Sequence, residues 1–287
     1  MPGSTASSTR FSSITSASAA ASLAFGLLLI SIPLTHPGEA GGAVRSTGLD
    51  FRLESGGVTP ARTVPGSIRP VRMIYRFRAR RATGVAIRVI RAGKGRTVRR
   101  FKTSPKRPGR WHRRVWDGLT GRGRPVPAGR YRVALGPSGG GLRTLGYLSI
   151  HSHTFPVDAP HGVRGPVGLF GAARLGGRTH EGFDVTAACG SPLVAVRPGR
   201  ILKVAWDGRY LGNHVVLKGA GGRRTYLYAH LMRPASVRPG QTVRAGRRLG
   251  AVGQTGNAGG TPCHLHIEVR SRGRLLDPWT FLSAADR

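Results

Sequence analysis

The segment Thr261-Pro262-Cys263-His264-Leu265-His266-Ile267-Glu268-Val269-Arg270 leaves a glycine-rich run, Gly253-Gln254-Thr255-Gly256-Asn257-Ala258-Gly259-Gly260, and reads as an extended strand. Successive side chains on a strand point to opposite faces, so His264 and His266 share one face and Leu265 lies on the other. At the usual rise per residue the two imidazoles stand roughly 7 Å apart, close enough to serve one site. The pattern alone says little, because His151-Ser152-His153 has the same spacing and no supporting context.

Two further segments supply that context. His180-Glu181-Gly182-Phe183-Asp184 places an imidazole and a carboxylate at i, i+4, on one face of either a strand or a helical turn. Tyr226-Leu227-Tyr228-Ala229-His230-Leu231 is rich in β-forming residues and carries another imidazole near its end. Together the three segments hold more ligands than a catalytic zinc takes from protein, which is commonly three with one position open. Surplus imidazoles suit hydrolysis, where water needs a base and the developing oxyanion needs a donor.

Residues 153 to 282 resemble the zinc metallopeptidases of the lysostaphin and LytM type, the M23 family. The family's His-x-Gly-x-Asp stands at His180, Gly182 and Asp184, its Tyr-x-His at Tyr228 and His230, and its His-x-His at His264 and His266. Spacers such as Gly190-Ser191-Pro192-Leu193-Val194-Ala195 and Thr255-Gly256-Asn257 agree as well. The resemblance implies that His180, Asp184 and His266 bind Zn2+. It implies that His230 and His264 are the catalytic pair outside the metal's ligand set, and that peptidoglycan peptide bonds are the substrate. Which of the pair is base and which is electrophile stays open. Glu181 is a poor candidate for the base, because an extended chain points it away from its neighbours.

Length and charge bound the rest. The 287 residues suggest two domains, and 46 Lys+Arg against 11 Asp+Glu give a formal charge of +35. Such a surface attracts polyanions by its field. The arginines are scattered and accompany no nucleic-acid motif, so an anionic cell-wall polymer is the expected partner and no specific nucleic acid is. Coding bias towards Arg, Gly and Pro is a further source of the charge. In residues 1–40, Arg10 is the only charge before an uncharged stretch whose apolar centre runs from Ala19 to Ile32, and small residues follow around Gly38-Glu39-Ala40, the pattern of an export signal. An uncleaved anchor is the rival reading, made poor by the Ser-rich first half and Pro33. The expectation is a secreted, wall-associated monomer with no membrane span after signal removal.

An all-β fold is expected throughout. Residues 41–64 read as a linker, 65–150 as a β-sandwich and 151–287 as the peptidase domain, an antiparallel sheet. Tyr75-Arg76-Phe77, Val85-Ala86-Ile87-Arg88-Val89 and Tyr131-Arg132-Val133-Ala134-Leu135 alternate as half-buried strands do. Trp116-Asp117-Gly118 and the run from Gly123 to Tyr131 resemble the immunoglobulin-like module of flagellar hook-capping proteins. That module implies a fold and a spacer or wall-binding role. His151 and His153 are expected to be surface or linker residues, His214 a partly exposed strand residue, and His161 a groove-rim residue without a role.

Cys189 and Cys263 are the only cysteines, each close in sequence to a candidate site residue. In an exported chain an even count favours a disulfide, with Cys ligation of a structural metal as the alternative. Two other functions stay open: a catalytically idle wall-binding or hydrolase-activating protein on the same fold, and a polyanion binder.

Overall fold

Val71-Arg72-Met73-Ile74-Tyr75-Arg76-Phe77-Arg78 alternates apolar with mostly basic residues, and in the computed structural model, which describes residues 50–286, its apolar set is buried. The first eight strands are β1 (Arg52–Thr59), β2 (Arg62–Thr63), β3 (Val71–Arg78), β4 (Val85–Arg91), β5 (Thr97–Lys102), β6 (His112–Trp116), β7 (Gly129–Pro137) and β8 (Arg143–Ile150). They form a three-stranded sheet, β1-β3-β6, and a five-stranded sheet, β2-β8-β7-β4-β5. Val71, Met73, Tyr75 and Phe77 meet Val85, Ile87, Val89, Tyr131, Val133 and Leu135 in one apolar cluster. Two of its polar handles are satisfied locally. Tyr131 Oη donates to Pro127 O at 2.6 Å, and Trp116 Nε1 donates to Leu119 O at 2.7 Å.

A second cluster belongs to β9 (His161–Val163), β10 (Phe183–Ala187), β11 (Pro192–Val194), β12 (Gly199–Asp207), β13 (Gly212–Gly219) and β14 (Arg224–Leu231). The same half continues with β15 (Thr242–Val243), β16 (Arg248–Ala251), β17 (His264–Ser271) and β18 (Arg274–Leu276). The main sheet runs β15-β12-β13-β14-β17-β10-β9, with β18 on β17, and β11 pairs β16 separately. All its pairings are antiparallel. Among the described residues the only α-helix is α1 (Trp279–Leu282), so the fold is all-β as expected. None of the described helices is long and apolar enough to cross a membrane. The two halves touch where Ile68 N donates to Ala245 O at 2.9 Å.

Three expectations are corrected. Within the segment read as a linker, residues 52–59 form β1, paired to β3. Its Ser-Gly-Gly composition hides a packing demand. A Cβ on Gly56 would lie 2.5 Å from Ile74 O and 2.6 Å from Leu145 Cδ1, so glycine is there for close approach, not for flexibility. The export-signal reading of residues 1–40 and the linker reading of 41–49 lie outside the described residues.

His153 is not a surface residue but is 1% exposed, packed against Tyr226 and the Phe281 ring of α1. Both ring nitrogens have hydroxyl partners at 2.8 Å, Ser152 Oγ and Tyr226 Oη. His214 is also buried, because β13 is an interior strand flanked by β12 and β14, and its Nδ1 donates to Gly212 O.

Burial, with Arg197 and Arg224 nearby, pushes the His153 pKa down to about 3. A histidine held neutral when folded titrates near 6.5 once unfolded, so below pH 6.5 the unfolded chain binds the extra proton. Its contribution to stability is complete above pH 6.5 and falls as pH drops towards 3, by at most about 1.4 kcal/mol per pH unit. Urea midpoints between pH 7 and 4 should therefore decline more steeply for wild type than for His153→Gln. Parallel declines would show that His153 titrates alike in both states.

Candidate active site

The register of β17 between β10 and β14 builds the site. Asp184 stands directly opposite His266, and Ala229 faces His266 from the other side. Alternation sends Leu265, Ile267 and Val269 into the core, all fully buried, and presents His264, His266, Glu268 and Arg270 on the opposite face. On β10, Phe183 and Val185 pack in the core while Asp184 faces His266. Gly182 of the preceding turn is required by contact. A Cβ there would lie 2.6 Å from His266 Cε1 and 2.8 Å from its Nε2.

His180, Asp184 and His266 converge, each buried, with one donor atom apiece within 4.8 Å of the others. Asp184 Oδ1 is 3.0 Å from His180 Nε2 and 2.9 Å from His266 Nδ1, and the two imidazole nitrogens are 2.8 Å apart. The outer nitrogens are committed elsewhere. His180 Nδ1 donates to Leu169 O at 2.8 Å, which leaves its Nε2 lone pair turned inwards. His266 Nε2 lies 3.5 Å from Glu268 Oε1, the carboxylate support that metal-ligating histidines commonly have. Two inward nitrogens and a carboxylate oxygen, oriented from behind, fit a zinc ion.

Without a cation the charge on Asp184 falls to protons. Burial acts to raise the Asp184 pKa, but hydrogen bonds from His180 and His266 hold it well below the usual carboxylate range. Burial likewise opposes charge on His266, and the Asp184 and Glu268 carboxylates outweigh it, lifting the pKa to about 9.

His230 reaches the same cavity by an irregularity. Strict alternation would send it to the face of Tyr226 and Tyr228, whose rings are in the core. The β13–β14 register slips between Asn213 and Val215, and His230 takes a left-handed backbone, φ 60°. Bulges commonly re-aim a side chain in this way beside active sites. Its ring centre ends 5.0 Å from that of His264 and 5.8 Å from that of His266. His230 Nδ1 donates to Thr255 O at 2.8 Å and His264 Nδ1 to Pro262 O at 2.8 Å, so in both rings Nε2 is the acceptor. Burial lowers both pKa values, that of His230 to about 4.

The groove around them, about 740 Å³, is walled by the 164–179 segment and by the loop carrying Asp207 and Tyr210. Sequence reasoning missed several of its residues. Arg164 Nη1 lies 3.4 Å from Asp184 Oδ2 and 3.1 Å from His264 Nε2, and Arg174 Nη2 lies 3.7 Å from the same Oδ2. Glu268 continues the His264–His266 alternation, which was signal enough to find it. The arginines come from irregular chain with no such signal. Glu181 faces Arg270 at 2.6 Å, and Arg270 also pairs with Glu268. His161 lies away from this groove, stacked on Phe155 and paired with Asp286 Oδ1 at 2.9 Å. Cys189 and Cys263 form a disulfide across a sequence separation of 74, next to His264.

Fold and site together are an antiparallel β-sheet that carries a cluster of two imidazoles and one carboxylate able to hold a metal ion. Residues 178–278 match Peptidase family M23. An uncharacterized metalloprotease of Haemophilus influenzae is 36% identical over 103 residues, 36% of this chain and 21% of the relative. The DD-carboxypeptidase/endopeptidase Mpg of Neisseria meningitidis serogroup B is 40% identical over 101 residues, 35% of this chain and 22% of Mpg. Lysostaphin of Staphylococcus simulans is 31% identical over 115 residues, 39% of this chain and 23% of lysostaphin. The chain thus spans about a fifth of the length of the curated relatives it matches. Among solved structures, the lysostaphin catalytic domain from S. simulans is 29% identical, with a TM-score of 0.38 over 44% of this chain and 93% of that one.

Two predictions test this geometry. A left-handed backbone costs a non-glycine residue about 1 kcal/mol, and glycine adopts it freely. His230→Gly should therefore be as stable as His230→Ala or more so, despite glycine's greater unfolded entropy, in denaturant unfolding. A clearly less stable glycine variant would contradict the strained conformation. The disulfide closes a long loop and should contribute about 4 kcal/mol in the chain-entropy model. Freshly isolated protein should show no reactive thiol without reductant, and Cys189→Ser/Cys263→Ser should melt at a lower temperature. Two titratable thiols in untreated protein would sink the bridge.

Proposed function

We propose that this chain is a secreted zinc endopeptidase that hydrolyses peptide bonds in bacterial peptidoglycan. One observation carries the reading: a buried two-imidazole, one-carboxylate cluster lies beside two further histidines whose Nδ1–H groups are tied to backbone carbonyls. A purely structural metal site has no use for that second pair. The similarity to Mpg and lysostaphin supports the substrate class.

On this reading His180, Asp184 and His266 would hold the ion, which when bound would supply Lewis acidity to the scissile carbonyl and to water. His230 and His264, both neutral at pH 7, offer Nε2 acceptors in the same cavity. Between them they take the proton of the attacking water and return it to the leaving nitrogen. Glu268 orients His266. The sheltered position of Asp184, 1% exposed, limits competing solvation of its charge.

Residues 1–40 are the export signal in this proposal, residues 65–150 an immunoglobulin-like spacer and residues 151–287 the peptidase domain. The mature chain is a monomer at the wall, and its +35 formal charge supports an anionic wall polymer as its partner.

The test is paired zinc analysis and turnover on defined cross-linked muropeptides, with products identified by mass. His180→Ala, Asp184→Ala and His266→Ala should each lose zinc and activity together. His230→Ala and His264→Ala should keep zinc while turnover falls about 10² to 10⁴-fold. Zinc retention in His266→Ala with loss in His264→Ala would reverse the two roles. A wild type that binds zinc yet cleaves nothing would favour a wall-binding protein on the same fold.

A further inference from the structure

The groove is electrically lopsided. On one side the Arg270 guanidinium is neutralised by Glu181 and Glu268, and Asp207 accepts backbone N–H groups of Arg209 and Tyr210. The 164–179 wall carries Arg164, Arg174 and Arg178. Arg178 lies over the Tyr210 ring, 4.9 Å from its centre. Arg164 and Arg174 both lean on a single oxygen, Asp184 Oδ2, at 3.4 and 3.7 Å, longer than a good charge-assisted hydrogen bond. The other oxygen of that carboxylate already serves His180 and His266. Two guanidiniums, each a planar fork of donors, thus share half of one carboxylate. Both side chains are 27% exposed, so they remain open to the groove.

We infer that Arg164 and Arg174 form a carboxylate-binding subsite, and that the preferred substrate is an acidic peptide with a free carboxylate beside the scissile amide, not an uncharged glycine bridge. This rests on the peptidase reading above and adds the substrate's charge to it. A substrate carboxylate offers two oxygens in the plane a guanidinium fork matches, where Asp184 Oδ2 offers one at long range. Arg164 Nη1 also donates to His264 Nε2 at 3.1 Å. A substrate that engages Arg164 therefore competes this donor away and frees the His264 lone pair. Binding the carboxylate and readying that acceptor become one event.

The experiment uses the full zinc-loaded chain and two cross-linked stem peptides, identical except that the carboxylates flanking the scissile amide are free in one and amidated in the other. Cleavage is followed as kcat/KM. Binding is followed by calorimetry with N-methylated, non-cleavable versions of both. Wild type should favour the free acid by about tenfold to a hundredfold in both readouts, the usual range for a charged hydrogen-bonded contact. In Arg164→Gln and, separately, Arg174→Gln the ratio should collapse towards one. Thermal melts confirm folding, and Arg174, on an irregular loop, keeps the test alive if Arg164→Gln does not fold. Equal handling of the two peptides by wild type overturns the subsite, as does a parallel loss on both peptides in the variants. If neither peptide is cleaved but calorimetry still favours the free acid, the subsite stands and the hydrolase reading falls.

Discussion

The Asp184 carboxylate, buried between β10 and β17, is the group the rest of the site is arranged to satisfy. A buried charge is tolerated only with partners, and this one has cationic or hydrogen-bonding groups on both oxygens. Meeting that need draws in elements distant in sequence. The 164–179 segment brings Arg164, Arg174 and the Leu169 carbonyl that orients His180, and β17 brings His266 with Glu268 behind it.

Register fixes the arrangement to the residue. A slip of one position along β17 would turn Leu265, Ile267 and Val269 outwards and bury the histidines. The three apolar side chains in the core therefore guard the geometry of the polar face. Where the alternation had to be broken, for His230, the chain uses a local bulge and a left-handed residue. The remainder of β14 keeps its pairing with β17.

Strand alternation is also why so much of the site is legible in the amino-acid sequence. His264, His266 and the apolar residues between them declare their faces directly, and the three motifs together single out His180, Asp184 and His230. The features that stay hidden depend on packing that composition does not encode. The Ser-Gly-Gly of β1 looks like a linker until Leu145 and Ile74 are seen against it. His153 looks solvent-facing until Tyr226 and Phe281 close over it. Arg164 and Arg174 lie among many other arginines, and only three-dimensional convergence on Asp184 sets them apart.

The His153–Tyr226 bond also bears on how this half of the chain can be moved between proteins. The match to Peptidase family M23 begins at residue 178, yet β14, which carries His230, rests its core side on a histidine 25 residues earlier. Phe155 and Val157 belong to the same apolar cluster, and Arg164 to the groove. A transplant cut at residue 178 would strip the Tyr226 hydroxyl of its His153 partner and take Phe155 and Val157 out of the core. The portable unit therefore starts upstream of Ser152, whose hydroxyl holds the other ring nitrogen of His153.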